Sequence, residues 1–576
     1  MRFVKAIWNL LMGVKDALVL LFMLLFFGGL YALLTARPTP SVSDGVLLVD
    51  LRGAVVEQPS DAEFSAFGGS GPREYSLRQL RRALEAARED SRVKAVALDL
   101  DSFSGGGQAA LGELGDTLAS IRQSGKPVLV YATGYGDDAY QLAAHASEVW
   151  LNPQGVVQVT GPGGNNLYFA GLLEKLGITA NVYRVGAFKS AVEPFTRNDM
   201  SPEARQNAQE LVGNLWATWR DDVRQARPKA QLDPFVQNPV AVVQAAGGDF
   251  AQAALRLGLV DRLGERRAFE ARLAELGGKN DRTRGGYNRI RLESYLASKG
   301  GEKSSGPIGV VTVAGTIVDG RAPTGTAGGD SIAEAIEKGL RAGNLKALVV
   351  RIDSPGGSAL ASERIRQALL AARERKIPVV ASMGNVAASG GYWVATGADH
   401  IMAEPSTITG SIGVFGLLPS FQGSLEKLGI GADGVKATPL AGEPDLLNGP
   451  SPEASQLVQL GVESIYRRFL VQVAQARGKT PQQVDAIAQG RVWAGGPARQ
   501  LGLVDSFGGL DDAIAKAAEL AKLGDERDVT FLERPRSWQA QFADLLRNDN
   551  EESGDTPDAF AALRGQPEAE LLAAMS

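Results

Sequence analysis

The sequence predicts an α/β protein in which two tandem copies of one domain follow an N-terminal transmembrane helix. The hexapeptide LEKLGI occurs at residues 173–178 and again at 425–430, 252 positions later. In each half, short apolar runs alternate with helix-like stretches, which is typical of a mostly parallel sheet covered by helices. An uncharged apolar run at residues 17–34 precedes both copies. These three observations together give the fold class.

The duplication extends well beyond the hexapeptide. VKAVALDLDS at 93–102 aligns with LKALVVRIDS at 345–354 with the same offset, and GLVD occurs at both 258–261 and 502–505. The repeated unit is far longer than the roughly 20–50 residues of a solenoid repeat, so it is the size of a domain. A reactive side chain that is present in only one copy is therefore a candidate for function.

The composition excludes several classes of site. The chain has 576 residues, a net charge of −5 and no cysteine, which argues against a nucleic-acid partner, a disulfide or a cysteine nucleophile. Only two histidines occur, His145 and His400, both at predicted helix-to-strand junctions, and a Ser-His-Asp triad would need one of them. We therefore predict no metal site and no other cofactor.

The N-terminal apolar run predicts a membrane anchor. Residues 17–34 can cross the hydrocarbon core with help from flanking residues, and Arg2, Lys5 and Lys15 before them place the N-terminus in the cytoplasm. A cleaved signal peptide is the alternative, but the run is long and no clear small-x-small site follows it before Arg37. The predicted protein is single-pass in the inner (cytoplasmic) membrane, with its domains on the periplasmic or extracytoplasmic side.

The expected domain boundaries follow changes in composition. They are residues 1–43 for the cytoplasmic start, anchor and linker, 44–276 for the first copy, 277–306 for a polar, Gly-rich linker, 307–535 for the second copy, and 536–576 for an acidic, flexible tail.

The second copy illustrates the alternation of elements. Its continuous apolar runs are of the kind that form buried parallel strands, and the carboxyl ends of such strands gather functional sites. The predicted elements are a strand at 309–313, a helix at 331–341 with Asp330 or Ser331 as N-cap, a strand at 347–352, a helix at 362–374 and a strand at 378–383.

A serine follows the last of these strands, in GNVAASGGYWVA at 384–395. Ser389 precedes two glycines and an apolar helical stretch, so its hydroxyl lies near the positive end of a helix dipole. A plain N-cap is the alternative. The first copy discriminates between them, because Tyr140 aligns with Tyr392 and places Asp137 opposite Ser389. The helix is retained there and the serine is not.

A lysine in the first copy is the candidate base. A serine hydroxyl needs a base to become a nucleophile, and Lys189 lies in the apolar stretch VGAFKSAVEPF at 185–195. Apolar surroundings lower the pKa of a lysine, as a general base requires. The second copy has VKATPLAGEPDL at 435–446 with no lysine at that place; Lys436 is a weaker alternative, and an ordinary surface lysine is the other. One site assembled across both copies, with Ser389 from the second, explains the reciprocal losses.

The loop DSPGGS at 353–358 is a tight turn that exposes backbone N–H groups. Its first-copy counterpart is DSFSGGG at 101–107. A purely structural turn is the alternative, since such turns are common.

These residues resemble a known family. The segments DSPGG, MGNVAASGGYW, ADHIMAEPSTITGSIGV and GAFKSAVEPFTRNDMS are similar to those of signal peptide peptidase A in its long, membrane-anchored bacterial form, also called protease IV. The resemblance covers nearly the whole chain and implies a Clp-protease/crotonase-like fold for each copy, with a Ser–Lys dyad built from both.

Carried over by motif, the resemblance assigns roles to individual residues. The first copy has Pro162 where the second has Ser411, which fits a degenerate site. The implied roles are Ser389 as nucleophile, Lys189 as general base, Ser411 as the residue that orients the lysine, and the N–H groups of Gly356 or Gly357, with Gly390, as the oxyanion hole.

The resemblance also implies a homotetramer outside the cytoplasm that degrades signal peptides left in the membrane after their cleavage, as well as other apolar peptides. Two alternatives remain open: a crotonase-like acyl-CoA enzyme and an inactive membrane-associated scaffold. Acyl-CoA is cytoplasmic, so the predicted orientation argues against the first. The intact dyad motifs argue against the second.

Overall fold

The computed structural model describes residues 2–35, 42–60, 73–300 and 305–532. The predicted tail at 536–576 lies outside the described residues. The described helices are, in chain order, α1 (Arg2–Thr35), α2 (Leu77–Glu89), α3 (Gln108–Gln123), α4 (Asp137–Ala144), α5 (Ala170–Leu176), α6 (Glu193–Thr196), α7 (Pro202–Ala226), α8 (Leu232–Gln237), α9 (Pro239–Ala245), α10 (Phe250–Arg256), α11 (Arg266–Gly277), α12 (Leu292–Ser298), α13 (Gly329–Ala342), α14 (Ala359–Glu374), α15 (Gly390–Ala395), α16 (Gln422–Lys427), α17 (Pro452–Arg477), α18 (Pro481–Asp485), α19 (Gly495–Gln500) and α20 (Leu510–Leu520).

The described strands are β1 (Gly45–Asp50), β2 (Gly53–Val56), β3 (Arg73–Ser76), β4 (Val93–Asp99), β5 (Val128–Tyr135), β6 (Glu148–Val157), β7 (Thr179–Val185), β8 (Arg262–Leu263), β9 (Arg289–Arg291), β10 (Ile308–Ala314), β11 (Ile317–Val318), β12 (Ala327–Gly328), β13 (Ala347–Ser354), β14 (Val379–Ala388), β15 (His400–Ala403), β16 (Ile408–Gly410), β17 (Val414–Ser420), β18 (Val492–Ala494), β19 (Ser506–Phe507) and β20 (Val529–Phe531).

Each half of the chain builds its own sheet. The first sheet has the order β8-β6-β5-β4-β1-β9, and the second has β18-β16-β14-β13-β10-β20 with β15 beside β14 and β19 beside β15. Apart from β18, which pairs antiparallel with β16, the strands of both sheets pair in parallel. Every residue of β5 and β14 is buried, as expected for central strands covered on both faces. The α/β fold class is confirmed.

A repeated tertiary contact confirms the duplication in detail. The hydroxyl of Tyr140 donates a hydrogen bond of 2.9 Å to the carbonyl oxygen of Leu259. The hydroxyl of Tyr392 makes the same bond, of 2.8 Å, to Leu503. Both bonds join the helix after the central strand to the GLVD segment, so Tyr140 and Tyr392 are equivalent.

The segment between the two sheets differs from the predicted linker at 277–306. Strand β9 pairs in parallel with β1 at the edge of the first sheet, and α12 follows it directly with Tyr295 buried. These residues therefore belong to the first half. A three-residue strand is too short to show the alternation by which strands are recognised in a sequence.

The N-terminal helix α1 contains the predicted anchor. Its segment Met12–Gly29 is 18 residues long, has a mean hydropathy of 1.8 and makes no buried contact with the rest of the protein. By length and composition this helix can cross a membrane. A signal sequence has the same properties.

A two-stranded antiparallel ribbon joins the halves. Strand β7 of the first half pairs with β17 of the second, from Val185 opposite Val414 to Thr179 opposite Ser420. Both strands lie outside the two large sheets. This ribbon fixes the positions of the chain segments at its ends, and those segments carry the predicted site.

Candidate active site

The predicted nucleophile lies at a sharp turn between strand and helix. β14 ends at Ala388 and α15 begins at Gly390. Ser389 between them has φ 51° and ψ −113°, a backbone conformation that residues other than glycine rarely adopt. Its backbone N–H donates a hydrogen bond of 2.9 Å to the carbonyl oxygen of Gly410. A side chain on Gly390 would place its Cβ 2.5 Å from Ser362 Oγ. The space around the turn therefore requires glycine after the serine.

The ribbon brings the predicted lysine to this serine. Lys189 lies four residues after the end of β7 and Ser411 three residues before the start of β17. Because these two strand ends pair in the antiparallel ribbon, the two side chains meet. Lys189 Nζ donates a hydrogen bond of 2.9 Å to Ser411 Oγ and lies 3.4 Å from Ser389 Oγ. The structure thus brings together all three side chains that the sequence analysis selected.

Burial changes the acidity of the lysine. Lys189 is 5% exposed, and loss of solvation lowers the pKa of its amine from 10.5 to about 8. Burial disfavours the charged form because the ammonium loses its hydration. A substantial fraction of the amine is consequently neutral in mildly alkaline solution and can accept a proton from the hydroxyl beside it.

The DSPGGS turn lies against Ser389. The N–H of Gly356 is already engaged, because it donates to Ser354 Oγ at 3.1 Å. The amide nitrogen of Gly357 lies 3.2 Å from the point where a Cβ on Gly390 would be. This geometry favours Gly357 over Gly356 as the partner of Gly390 in an oxyanion hole.

The first half contains the same turn with a carboxylate in it. Gly105 is the counterpart of Gly356, because the carbonyl oxygen of each accepts a hydrogen bond of 2.8 Å from the segment beside it. Gly106 is then the counterpart of Gly357, and its N–H donates to Asp138 Oδ2 at 3.1 Å. In this half a carboxylate oxygen accepts the hydrogen bond from the N–H that corresponds to that of Gly357.

Asp138 is a residue that the sequence analysis missed. It takes the place of Gly390, and burial raises the pKa of its carboxyl to about 6. Asp137, which aligns with Ser389, accepts a hydrogen bond of 3.1 Å from the N–H of Gly161. The signal in the sequence was the pair of acidic residues in GYGDD, opposite the serine and glycine of AASGG.

The other candidate bases, one lysine and two histidines, make their contacts away from Ser389. Lys436 forms an ion pair of 2.8 Å with Glu443, and its side chain is 45% exposed. His400 Nε2 is 2.8 Å from Ser506 Oγ, whereas His145 is buried with Asp222 at 3.2 Å. The contacts of these three side chains do not include Ser389 or Lys189.

Comparison with known proteins identifies the family of the chain. The family model described as Peptidase family S49 matches residues 120–279 and 371–524, once in each half of the chain. The chain is 41% identical to "Protease 4" of Salmonella typhi and 37% identical to "Protease 4" of Haemophilus influenzae, and each alignment covers 90% of this chain and 86% of the relative. A shorter match, 35% identical, covers 32% of this chain and 54% of "Putative signal peptide peptidase SppA" of Enterococcus faecium.

Proposed function

Because the chain belongs to peptidase family S49, and is therefore a serine peptidase, we propose that it cleaves peptide bonds with a dyad of Ser389 and Lys189. The observation that carries the proposal is the buried Lys189 amine between two hydroxyls, 3.4 Å from Ser389 Oγ and 2.9 Å from Ser411 Oγ. Family membership favours this function over the acyl-CoA enzyme and the inactive scaffold.

The proposed mechanism begins with the neutral amine. Lys189 Nζ takes the hydroxyl proton of Ser389, and Oγ attacks the carbonyl carbon of the substrate. The N–H groups of Gly357 and Gly390 stabilise the oxyanion that forms. Ser411 accepts a hydrogen bond from the ammonium and keeps it directed at the reaction. The ammonium then protonates the leaving amine, and water hydrolyses the acyl-enzyme after losing a proton to the same lysine.

The dyad is tested by hydrolysis of an apolar peptide with the full chain in detergent. We expect Ser389→Ala and Lys189→Ala each to lower kcat/KM by about 10⁴-fold or more, since removal of one member of the triad of a serine peptidase lowers kcat by about 10⁴- to 10⁶-fold. Lys436→Ala is the matched control, since it removes the lysine in the corresponding stretch of the second copy, and it should keep full activity. Full activity of either dyad variant, or loss of activity in the control instead, would overturn the assignment.

We propose that the substrates are signal peptides left in the membrane after cleavage, together with other apolar peptides. The apolar helix α1 supports this proposal, because it would hold the peptidase at the membrane surface. Incubation of the protein in lipid vesicles with membrane-inserted signal peptides and with polar peptides of equal length tests it. Faster hydrolysis of the polar peptides would contradict it.

For the location we propose an uncleaved anchor in the inner membrane, with the N-terminus in the cytoplasm and the catalytic halves on the periplasmic side. The chain has no cysteine, so a single introduced cysteine can be labelled uniquely. Asp433→Cys, at an exposed position, should react with an impermeant maleimide in spheroplasts. Lys5→Cys should react only after lysis, and the reverse pattern would overturn the orientation.

The proposed assembly is a homotetramer. Large apolar side chains are exposed near the ends of α5 and α16, among them Leu172 (52%), Leu176 (50%), Leu428 (72%) and Ile430 (52%). Extended apolar surface on a soluble domain is typical of an interface. Sedimentation of the detergent-solubilised chain should give four copies per particle, and a monomer would contradict the proposal.

A further inference from the structure

A turn of the second half, residues 488–491, lies between the loop that carries Lys189 (residues 186–192, the lysine loop) and the loop that carries Ser411. The carbonyl oxygen of Gln489 accepts a hydrogen bond of 2.8 Å from the N–H of Phe188, the residue before the lysine. The carbonyl oxygen of Arg491 accepts one of 2.8 Å from the N–H of Ser411. One short turn therefore fixes the backbone on both sides of the hydrogen bond between Lys189 and Ser411.

The glycine in the middle of this turn touches the lysine itself. Gly490 has φ +78°, and a Cβ on it would lie 2.6 Å from the Cβ and the backbone nitrogen of Lys189. Its N–H donates a hydrogen bond of 2.9 Å to the carbonyl oxygen of Ile412. The close approach leaves no room for a side chain on Gly490, so the backbone of the turn packs directly against the main chain of Lys189.

Gln489 has a left-handed backbone, with φ 54°, which is uncommon outside glycine. Its own contacts hold it there: the N–H donates to the hydroxyl of Tyr466 at 3.3 Å, and Nε2 donates to Asp485. Oε1 accepts from the N–H of Ala187 at 3.4 Å. The side chain of Gln489 thus ties the lysine loop of the first half to the helices of the second.

We propose that Gln489 is a positioning residue for the dyad, and that with Gly490 it sets the place of the Lys189 amine relative to Ser389 and Ser411. This inference rests on the dyad proposed above. Gln489 acts through its main chain, whose left-handed conformation presents the carbonyl to Phe188, and its side chain maintains that conformation. It has no contact with the reacting atoms.

Two pairs of variants separate positioning from general strain. Gly490→Ala is compared with Gly343→Ala, because Gly343 has the same φ of +78° but nothing within 4 Å of its Cβ position. Gln489→Val is compared with Lys376→Val, since Lys376 is exposed and has φ 61°. Gln489→Gly keeps the left-handed conformation without steric cost and serves as the conservative variant.

The readouts are kcat, KM and the pH profile of kcat/KM for hydrolysis of an apolar peptide by the full chain. We expect Gly490→Ala to lower kcat by about 10²-fold, since a misplacement of about 1 Å has that effect, and to leave KM within about threefold. Gln489→Val should lower kcat by about tenfold or more. The midpoint of the pH profile should rise in both, because a displaced amine is better solvated. The kcat of Gln489→Gly should lie between those of wild type and Gln489→Val. The two control variants should have the kcat and pH midpoint of wild type.

Wild-type kcat and an unchanged pH midpoint in Gln489→Val would overturn the positioning role while leaving the dyad intact. So would equal losses in Gln489→Val and Lys376→Val. Thermal unfolding of each variant identifies losses that come from misfolding; if Gly490→Ala does not fold, the series wild type, Gln489→Gly and Gln489→Val decides. Full activity of Lys189→Ala, in contrast, would overturn the proposed function itself.

Discussion

At the scale of single residues, backbone strain is concentrated at the proposed site. Five non-glycine residues of the described chain have a left-handed φ: Lys376, Ser389, Ser411, Gln489 and Lys522. Three of them belong to the proposed site: Ser389 is the proposed nucleophile, Ser411 contacts the Lys189 amine, and Gln489 contacts the loop that carries Lys189. Such conformations cost about 1–3 kcal/mol each and persist where the surroundings impose them. Packing and hydrogen bonds around the dyad therefore act against local preference to hold its geometry.

The pH dependence of hydrolysis follows from the lysine. Since the proposed base is the neutral amine and the pKa of Lys189 is about 8, we expect kcat/KM to rise with pH and to reach half its limiting value near pH 8. A Lys189→Arg variant should lose this rise together with its activity, because a guanidinium stays protonated. A pH-independent rate between pH 6 and 10 would contradict the role of a neutral amine.

The burial of the Lys189 amine also affects the stability of the fold. Its pKa falls from 10.5 in the unfolded chain to about 8 in the fold, so burial of the charged amine costs up to about 3 kcal/mol. This cost is complete below pH 8, decreases between pH 8 and 10.5, and vanishes above. Lys189→Met should therefore unfold at higher urea than wild type at pH 7, by up to that free energy, with a smaller gain at pH 10. Equal gains at both pH values would show that desolvation is not the cause.

At the scale of secondary structure, one half completes an element of the other. Helix α3 begins after Gly107, which has no side chain to cap it. Asn385 from β14 fills this role: its Oδ1 accepts a hydrogen bond of 2.9 Å from the N–H of Ala110, and its Nδ2 donates one of 3.0 Å to the carbonyl oxygen of Gly106. A Cβ on Gly107 would lie 2.3 Å from the Asn385 amide. The absence of a side chain at Gly107 of the first half thus leaves the space that the Asn385 amide of the second half occupies.

Removal of this cap should destabilise the protein. Asn385→Ala leaves a buried donor and a buried acceptor without their partner, and we expect the free energy of unfolding to fall by about 1–3 kcal/mol. Asn385→Asp keeps the acceptor for Ala110 but replaces the donor to Gly106, so it serves as the comparison for the single bond. Urea denaturation measures both, and an unchanged midpoint for Asn385→Ala would contradict the capping role.

At the scale of the whole molecule, a buried arginine joins the halves. Arg351 of β13 is 1% exposed and forms ion pairs of 3.0 Å with Glu57 and 2.7 Å with Glu113 of the first half. It also donates to Ser382 Oγ at 2.9 Å within its own sheet. Loss of one member of such a group leaves the others charged and uncompensated in the interior.

Arg351→Met should therefore lower the free energy of unfolding by about 3–5 kcal/mol. The double variant Arg351→Met/Glu113→Leu should recover part of this loss, because it removes one of the stranded carboxylates. Chemical denaturation of the single and double variants gives the coupling. If the two substitutions acted additively, the proposed electrostatic link between the halves would be absent.

The parts that could be predicted from sequence are those with a local or repeated pattern. The central strands are long apolar runs, and the reciprocal presence of Ser389 and Lys189 emerged from alignment of the copies. Strand β9 escaped prediction because three residues carry no period. Asn385 and Gln489 escaped because their partners lie about 280 and 300 residues away, where no spacing rule connects them.

The antiparallel ribbon has a consequence for the order of events in biosynthesis. The ribosome makes Lys189 200 residues before Ser389, and in the first half the turn equivalent to DSPGGS already donates a hydrogen bond to the carboxylate of Asp138. A nascent chain that ends before residue 389 therefore contains the proposed base without the proposed nucleophile. The proposed site can form only after β17 has been made and has paired with β7, so we expect the first half alone to hydrolyse no peptide.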